Sequence, residues 1–284
     1  MTTQIYGIFG FPLKHTLSPA MQEKAFEKSG IDASYLALEL DPSAFKKLAR
    51  DFPKTLLAGF NVTVPYKQTV MPYLDTLSKD AAIIGAVNTV KRSGKKFKGY
   101  NTDWMGFVDA LKEARFNPAG KKAVVLGAGG AARACVYGLM KKGIRAIALF
   151  NRHPARAMTI KRDFNKTFPG TEVKVFALNG ADLKQELGDA DLLLNSTSVG
   201  LKSDDSALLR ENTLPGRKLL VYDLIYNPPE TPFLKMARRG KKSTLNGVSM
   251  LLFQGARAFE IWTGRKAPVG LMRKVLLEKL GQKK

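Results

Sequence analysis

The chain has 284 residues, enough for two domains with sizeable cores, and its 45% hydrophobic and 25% charged residues are ordinary globular values. A single cysteine, Cys135, excludes an internal disulfide framework and fits a reducing compartment; with only two histidines beside it, little is left for a zinc or iron site. Lys and Arg outnumber Asp and Glu by 46 to 24, and the resulting charge of +22 attracts anions such as phosphorylated cofactors, acidic metabolites and nucleic acid. The densest runs, KRSGKKFK (91–98) and RRGKK (238–242), have no zinc-finger spacing or RNP-like aromatic strand beside them, so they read as solvated charge rather than a nucleic-acid site. The start, MTTQIYGIFG, lacks the basic and apolar regions of a signal peptide. No apolar stretch approaches the roughly 18 residues of a membrane span. The expectation is a cytoplasmic protein, monomer or homodimer, with no membrane and no nucleic-acid partner.

Residues 4–10 alternate weakly and form the first predicted strand. Ser18-Pro19 reads as an N-cap followed by proline at the first helical position, with Gly30 placed to stop that helix. A strand over 35–40 follows, and Asp41-Pro42 opens a second helix by the same device. Leu56 to Phe60 is a short buried strand leading into GFNVTVPYK (59–67), a turn that displays Asn61, Thr63 and Lys67, with Pro65 at the first position of a helix. An amide, a hydroxyl and an ammonium on one short connection suit a small hydroxylated anion with a proton donor held against it.

A helix is predicted near 75–84, then two strands within 86–101 joined at Ser93-Gly94. Asp103 begins a helix that ends before Asn117-Pro118. Beyond it the pattern restarts as a fresh βαβ unit, so the domain change is expected here. KAVVLG (122–127) is a buried strand, and a glycine-rich turn then runs into a helix reaching 143 that buries Cys135. Further strands fall at 146–152, 173–176, 191–195 and 218–223, with helices between them. A polar loop covers 200–216, and helices over 248–262 and 269–280 close the chain. Strand–helix alternation of this kind specifies α/β domains.

Gly127-Ala128-Gly129-Gly130-Ala131-Ala132 lies directly between a strand and a helix, the context a dinucleotide fingerprint requires. Glycines permit the tight turn and close backbone approach, and the helix N-terminus receives the pyrophosphate. At the end of the next strand an NAD site usually carries Asp or Glu for the ribose hydroxyls. This chain has Asn151-Arg152, with Arg156 one turn on and no acidic residue nearby. A planar guanidinium suits a 2′-phosphate, and cations at a helix start otherwise oppose the helix dipole. The reading is NADP.

HTLSP (15–19), GFNVTVPYK (59–67), AVNT (86–89), YNTDWMGF (100–107), GAGGAAR, NSTSVGL (195–201), YDLIYNPPETPFLKMARRG (222–240) and NGVSMLLFQGARAFEIWTG (246–264) appear in one order. On these motifs, across essentially its whole length, the chain resembles the shikimate dehydrogenase family, NADP-dependent enzymes of aromatic amino-acid biosynthesis. The resemblance implies two α/β domains with the active site in the cleft between them. Residues 1–103, completed by 247–284, would bind substrate, and 104–246 would be a Rossmann-like NADP-binding domain. It further implies that Thr16 and Ser18 hold the substrate carboxylate and that Asn61, Thr63, Asn88 and Gln254 bond the ring hydroxyls together with Lys67 and Asp103. Tyr226 would lie near the carboxylate, Gly247 and Met250 would border the nicotinamide, and Asn195, Ser196 and Thr197 would line the cofactor site.

The implied reaction is reversible reduction of 3-dehydroshikimate to shikimate with NADPH, which places negative charge on the ketone oxygen and needs a proton donor within hydrogen-bond reach. Lys67 suits that role, with Asp103 to orient it. Three residues depart from the common family pattern: Thr16 in place of serine, His153 in place of a threonine beside the adenosine phosphate, and Ser249 in place of glycine next to Met250. None removes a catalytic group. A quinate/shikimate dehydrogenase of broader range and a non-catalytic nucleotide- or polyanion-binding homologue are the alternatives.

Overall fold

The computed structural model describes residues 3–281, apart from 14–15, 179, 202–204, 206–207 and 210. His15 of the HTLSP motif therefore lies outside the described residues. Two compact units account for the chain: 1–106 with 252–284, and 107–251.

The first unit begins with β1 (Gln4–Gly10), α1 (Ser18–Lys28), β2 (Ala33–Glu39) and α2 (Pro42–Arg50). Ser18 is the first residue of α1 rather than its cap; Leu17 occupies the cap position and makes no side-chain cap bond. The Ser18 hydroxyl is instead engaged with the Tyr35 hydroxyl. Gly30 follows the helix with φ +63°, and Asp41 caps α2 as expected, accepting from the Ser43 and Ala44 N–H groups. Next come β3 (Leu57–Val62) and α3 (Tyr66–Thr69).

β3 runs two residues further than the hydrophobic pattern indicated. Asn61 is thus a strand residue, paired with Ile8 and Thr89, and not part of a turn. Pro65 precedes α3 instead of starting it, because the Tyr66 N–H closes a turn onto the Thr63 carbonyl at 2.7 Å. The helix expected over 75–84 is divided into β4 (Thr76–Leu77), which pairs with 98–99, and α4 (Lys79–Ile84), capped by the Ser78 hydroxyl. β5 (Thr89–Ser93) and β6 (Lys96–Tyr100) form the antiparallel pair read from the sequence, with Gly94 at φ +61° in its turn.

α5 (Asp103–Glu113) carries the chain into the second unit. The first unit's sheet has the order β2-β1-β3-β5-β6-β4 among the described residues. One face is filled by Phe9, Phe45, Phe52, Phe60, Tyr66 and Phe97. Aromatic rings of this size supply much of the area removed from water in a core.

The second unit contains β7 (Lys122–Leu126), α6 (Gly130–Lys141), β8 (Ala146–Asn151), α7 (Pro154–Asn165), β9 (Glu172–Ala177), α8 (Gly180–Leu187), β10 (Leu192–Asn195), β11 (Leu220–Asp223), α9 (Pro232–Arg239) and β12 (Ser243–Leu245). All its strand pairs are parallel, in the order β12-β11-β10-β7-β8-β9. That is the doubly wound nucleotide-binding order, and its direction reverses between β7 and β10. β7 is buried along its whole length, as a parallel strand covered on both faces must be.

α10 (Val248–Thr263) returns the chain to the first unit, and α11 (Val269–Lys279) ends it. Trp262 of α10 donates its indole N–H to the Val90 carbonyl at 2.9 Å, and Gln22 of α1 donates to the Gly255 carbonyl at 2.9 Å. α10 is thereby fastened to the sheet and to α1 of the first unit. Among the described residues, no helix is long and apolar enough to cross a membrane.

Candidate active site

In the first unit, α3 and the start of α5 bring Lys67 and Asp103 together, with Nζ 2.6 Å from Oδ2. Both side chains are largely buried, at 14% and 6% exposure, where water screens their attraction poorly. Asn88, in the loop before β5, donates to the other carboxylate oxygen at 2.9 Å, to the Thr102 hydroxyl at 2.9 Å and to Gln254 Oε1 at 3.2 Å. Its own carbonyl oxygen accepts from the Thr102 N–H at 2.7 Å. The amide thus fixes Asp103 in one orientation and reaches Gln254 on α10. Asp103 N–H in turn donates to Asn101 Oδ1 at 3.1 Å.

Asn61 is buried, and its amide hydrogens go to the Asn88 carbonyl and the Thr89 hydroxyl, both at 2.9 Å. Its carbonyl oxygen accepts from the Tyr35 hydroxyl at 2.6 Å. Toward a ligand Asn61 therefore offers the second lone pair of that oxygen and no N–H donor. Tyr35 is fully enclosed, and burial raises its phenol well above the usual range, with the Ser18 contact acting the other way. Thr16 is half-buried, and its hydroxyl accepts a long bond from the Ser18 N–H at 3.4 Å. Thr63 directly follows β3, with its N–H on the Phe9 carbonyl at 2.8 Å.

Lys67, Asn88, Asp103 and Gln254 form one connected cluster. Ser18 and Asn61 join each other through Tyr35. Tyr35, Thr89 and Thr102 are supporting residues to which the sequence reading assigned no role, although Thr89 lies in the AVNT motif and Thr102 in YNTDWMGF.

In the second unit the turn Gly127–Ala131 joins β7 to α6. Gly127 has φ +109°, and a Cβ there would lie 2.6 Å from the Ser196 hydroxyl, so only glycine fits. A Cβ at Gly129 would meet nothing within 4 Å, leaving its backbone open at the N-terminus of α6. That open turn fits a pyrophosphate. Asn151 ends β8 and donates to the His153 carbonyl at 2.9 Å. Arg152 and Arg156 are exposed at the start of α7, whose first turn holds no acidic residue. The donor set suits a 2′-phosphate and offers no carboxylate to a ribose diol.

Asn195 ends β10, and Ser196 and Thr197 follow it beside this turn. The Ser196 hydroxyl donates to the Leu126 carbonyl at 2.6 Å, and Asn195 Oδ1 accepts from the Thr197 N–H and hydroxyl at 2.9 and 2.7 Å. Tyr226, whose phenol is raised by burial, follows β11. Gly247 donates its N–H to the Ile225 carbonyl at 3.0 Å. A Cβ at Gly247 would lie 2.0 Å from the Leu224 carbonyl oxygen, so the chain has no room for a side chain there. Met250 is buried in the first turn of α10, and Ser249 donates to Glu113 Oε2 at 2.6 Å. Among the described residues no group of acidic, histidine and cysteine side chains could hold a metal.

Family models match most of the chain. The shikimate dehydrogenase substrate binding domain matches residues 8–90, shikimate / quinate 5-dehydrogenase matches 110–224, and the shikimate 5′-dehydrogenase C-terminal domain matches 247–277. The chain is 41% identical to the shikimate dehydrogenase (NADP(+)) of Methanopyrus kandleri, over 98% of this chain and 96% of that one. The chain belongs to the shikimate dehydrogenase family.

Among solved structures, the Listeria monocytogenes shikimate 5-dehydrogenase in complex with shikimate and NAD superposes with a TM-score of 0.88 at 36% identity, covering 96% of each chain. The Thermus thermophilus shikimate 5-dehydrogenase in complex with NADP(H) and shikimate gives 0.85 at 33% identity, covering 98% of this chain and 100% of that one. The two-domain α/β architecture expected from the sequence is that of the family.

Proposed function

We propose that this protein is an NADP-dependent shikimate dehydrogenase, interconverting 3-dehydroshikimate and shikimate. The observation that carries this reading is the largely buried Lys67–Asp103 pair, 2.6 Å apart and joined through Asn88 to Gln254. Membership of a family whose relatives are named NADP(+) enzymes supports it, as does the Thermus thermophilus complex with NADP(H) and shikimate.

NADPH supplies the hydride. The protein's residues bind the ketone and deliver the proton. Lys67 Nζ donates to the oxygen on which charge develops, and Asp103 holds that amine in place. In the reverse direction the same amine takes the proton of the substrate hydroxyl. Asn88 fixes Asp103, and Gln254, tied to Asn88, bonds a neighbouring ring hydroxyl. Asn61 accepts from a hydroxyl through its remaining lone pair, and Thr63 adds a hydroxyl directly after β3. Thr16 and Ser18 hold the carboxylate end. The open turn from Gly127 to Ala131 holds the pyrophosphate, Arg152 and Arg156 the 2′-phosphate, and Asn195, Ser196, Thr197, Gly247 and Met250 the remainder of the cofactor.

The quinate reading rests on the family model's own description, which names both acids. Oxidation of shikimate and of quinate, each with NADP and NAD, separates the two. Highest catalytic efficiency with shikimate and NADP is expected; higher efficiency with quinate and NAD contradicts both the substrate and the cofactor assignment.

A further inference from the structure

Asp223 ends β11 with no accessible surface. Its carboxylate divides three donors between two oxygens. Oδ1 accepts from Asn195 Nδ2 at 3.0 Å and from the Ile225 N–H at 3.1 Å, while Oδ2 accepts from the Thr231 hydroxyl at 2.6 Å. These donors come from the end of β10, from the residues after β11 and from the cap of α9. Among the described residues no charged side chain is hydrogen-bonded or ion-paired to it.

The Asn195 contact carries information. An asparagine amide has nearly the same shape either way round, but an ionised carboxylate accepts only, so it selects the orientation with Nδ2 facing Asp223. Asn195 Oδ1 then points the other way and collects the N–H and hydroxyl of Thr197 at 2.9 and 2.7 Å. The second amide hydrogen reaches the Val199 carbonyl at 3.2 Å, and the Val199 N–H closes on the Thr197 hydroxyl at 3.2 Å. The same turn lies against the glycine-rich loop, since a Cβ on Gly127 would be 2.6 Å from the Ser196 hydroxyl. On the other side, the Ile225 carbonyl accepts from Gly247 at 3.0 Å. One buried carboxylate therefore orders the turn after β10 and the segment after β11 together.

We propose that Asp223 is a positioning residue for the cofactor site: its carboxylate sets the orientation of the Asn195 amide and so holds the Asn195–Val199 turn in its cofactor-binding form. The proposal rests on the reading that Asn195, Ser196 and Thr197 border NADP. Burial raises this carboxyl from 3.8 to about 6, against the opposing bonds from Thr231, Ile225 and Asn195. Below that range the group gains a proton, competes as a donor, and ceases to enforce one amide orientation. The groups facing it, Asn195 from β10, Thr231 from α9 and the Ile225 N–H, do not titrate in this range.

The test measures dissociation constants of NADP+ and of shikimate for the wild type, Asp223→Asn and Thr231→Val between about pH 5 and 8. At the upper end Asp223→Asn is expected to weaken NADP+ about tenfold, the scale of one hydrogen bond to a charged group, with shikimate affinity held within about twofold. The gap between wild type and Asp223→Asn should close as the pH falls through about 6; titration of the cofactor's own phosphate is common to both and cancels. Thr231→Val keeps the carboxylate but removes a donor to it, so the pH at which NADP+ affinity falls should move upward. Equal NADP+ affinity in Asp223→Asn and wild type at every pH overturns the positioning role. Parallel weakening of both ligands at every pH overturns it too, as does an unmoved midpoint in Thr231→Val. A wild type that binds shikimate but no NADP+ overturns the underlying cofactor reading, and the proposal with it.

Discussion

Lys67 Nζ and Asp103 Oδ2 lie 2.6 Å apart although 36 positions separate them in the chain. Asn88 binds the opposite carboxylate oxygen at 2.9 Å, so the aspartate is fixed from both sides. Asp103→Asn keeps the shape but removes the charge that holds the amine. We expect kcat to fall by about 10², within the range of general acid–base contributions, while the dissociation constant for NADP+ stays unchanged. A variant with wild-type kcat means the carboxylate does not orient Lys67.

Arg152 and Arg156 stand exposed at a helix start whose first turn has no acidic residue. A guanidinium bond to phosphate contributes about 1.5–3 kcal/mol. Arg152→Ala should raise KM for NADP by about tenfold or more and leave KM for NAD nearly unchanged. Equal losses with the two cofactors count against recognition of the 2′-phosphate.

Gly59 of β3 faces Trp262 of α10, and a Cβ there would lie 2.6 Å from the indole nitrogen and 2.8 Å from the Val90 carbonyl oxygen. That carbonyl is the acceptor for the indole N–H. Gly59→Ala should lift the indole from its partner and destabilise the chain by about 1–3 kcal/mol, read by denaturant titration. Unchanged stability would show that α10 shifts freely on the sheet.

Asp223 has its native-state carboxyl raised from 3.8 to about 6 by burial. A carboxyl raised on folding binds its proton more tightly in the native chain. Its favourable contribution is therefore full below the unfolded value and is lost as the pH rises through about 6. Two pKa units correspond to about 3 kcal/mol. Asp223→Asn has no charge to bury, so the stability difference between variant and wild type should move in the variant's favour by up to about 3 kcal/mol from about pH 4 to 7.5. A difference that does not vary with pH contradicts the buried, titrating carboxylate. The residue thus costs stability at neutral pH while serving the cofactor site, a trade found where function demands a buried charge.

Much of the nucleotide unit was legible because its signals are local. KAVVLG followed by glycines and an apolar helix specifies strand, turn and helix within a few residues, and they lie at 122–126, 127–129 and 130–141. The absence of an acid after β8 was equally readable from one tripeptide. The substrate half was legible as motifs but not as geometry. Asn61 looked like a turn residue because a polar side chain usually ends a buried run. It remains in the strand because Tyr35, Asn88 and Thr89, 26 to 28 positions away, satisfy its amide. Tyr35, Thr102 and Asp223 act through partners that no periodicity reveals. Likewise the expected helix from 75 was shortened by a pairing of Thr76 and Leu77 with residues 98–99, a nonlocal event.

The most direct test is spectrophotometric turnover of shikimate with NADP+ by the purified wild type and by Lys67→Ala, with NADP+ binding measured on both. NADPH should accumulate with the wild type. With Lys67→Ala its formation should drop by about 10² or more at unchanged NADP+ affinity. A wild type that leaves shikimate untouched, or a Lys67→Ala variant that oxidises it at the wild-type rate, would contradict the assignment.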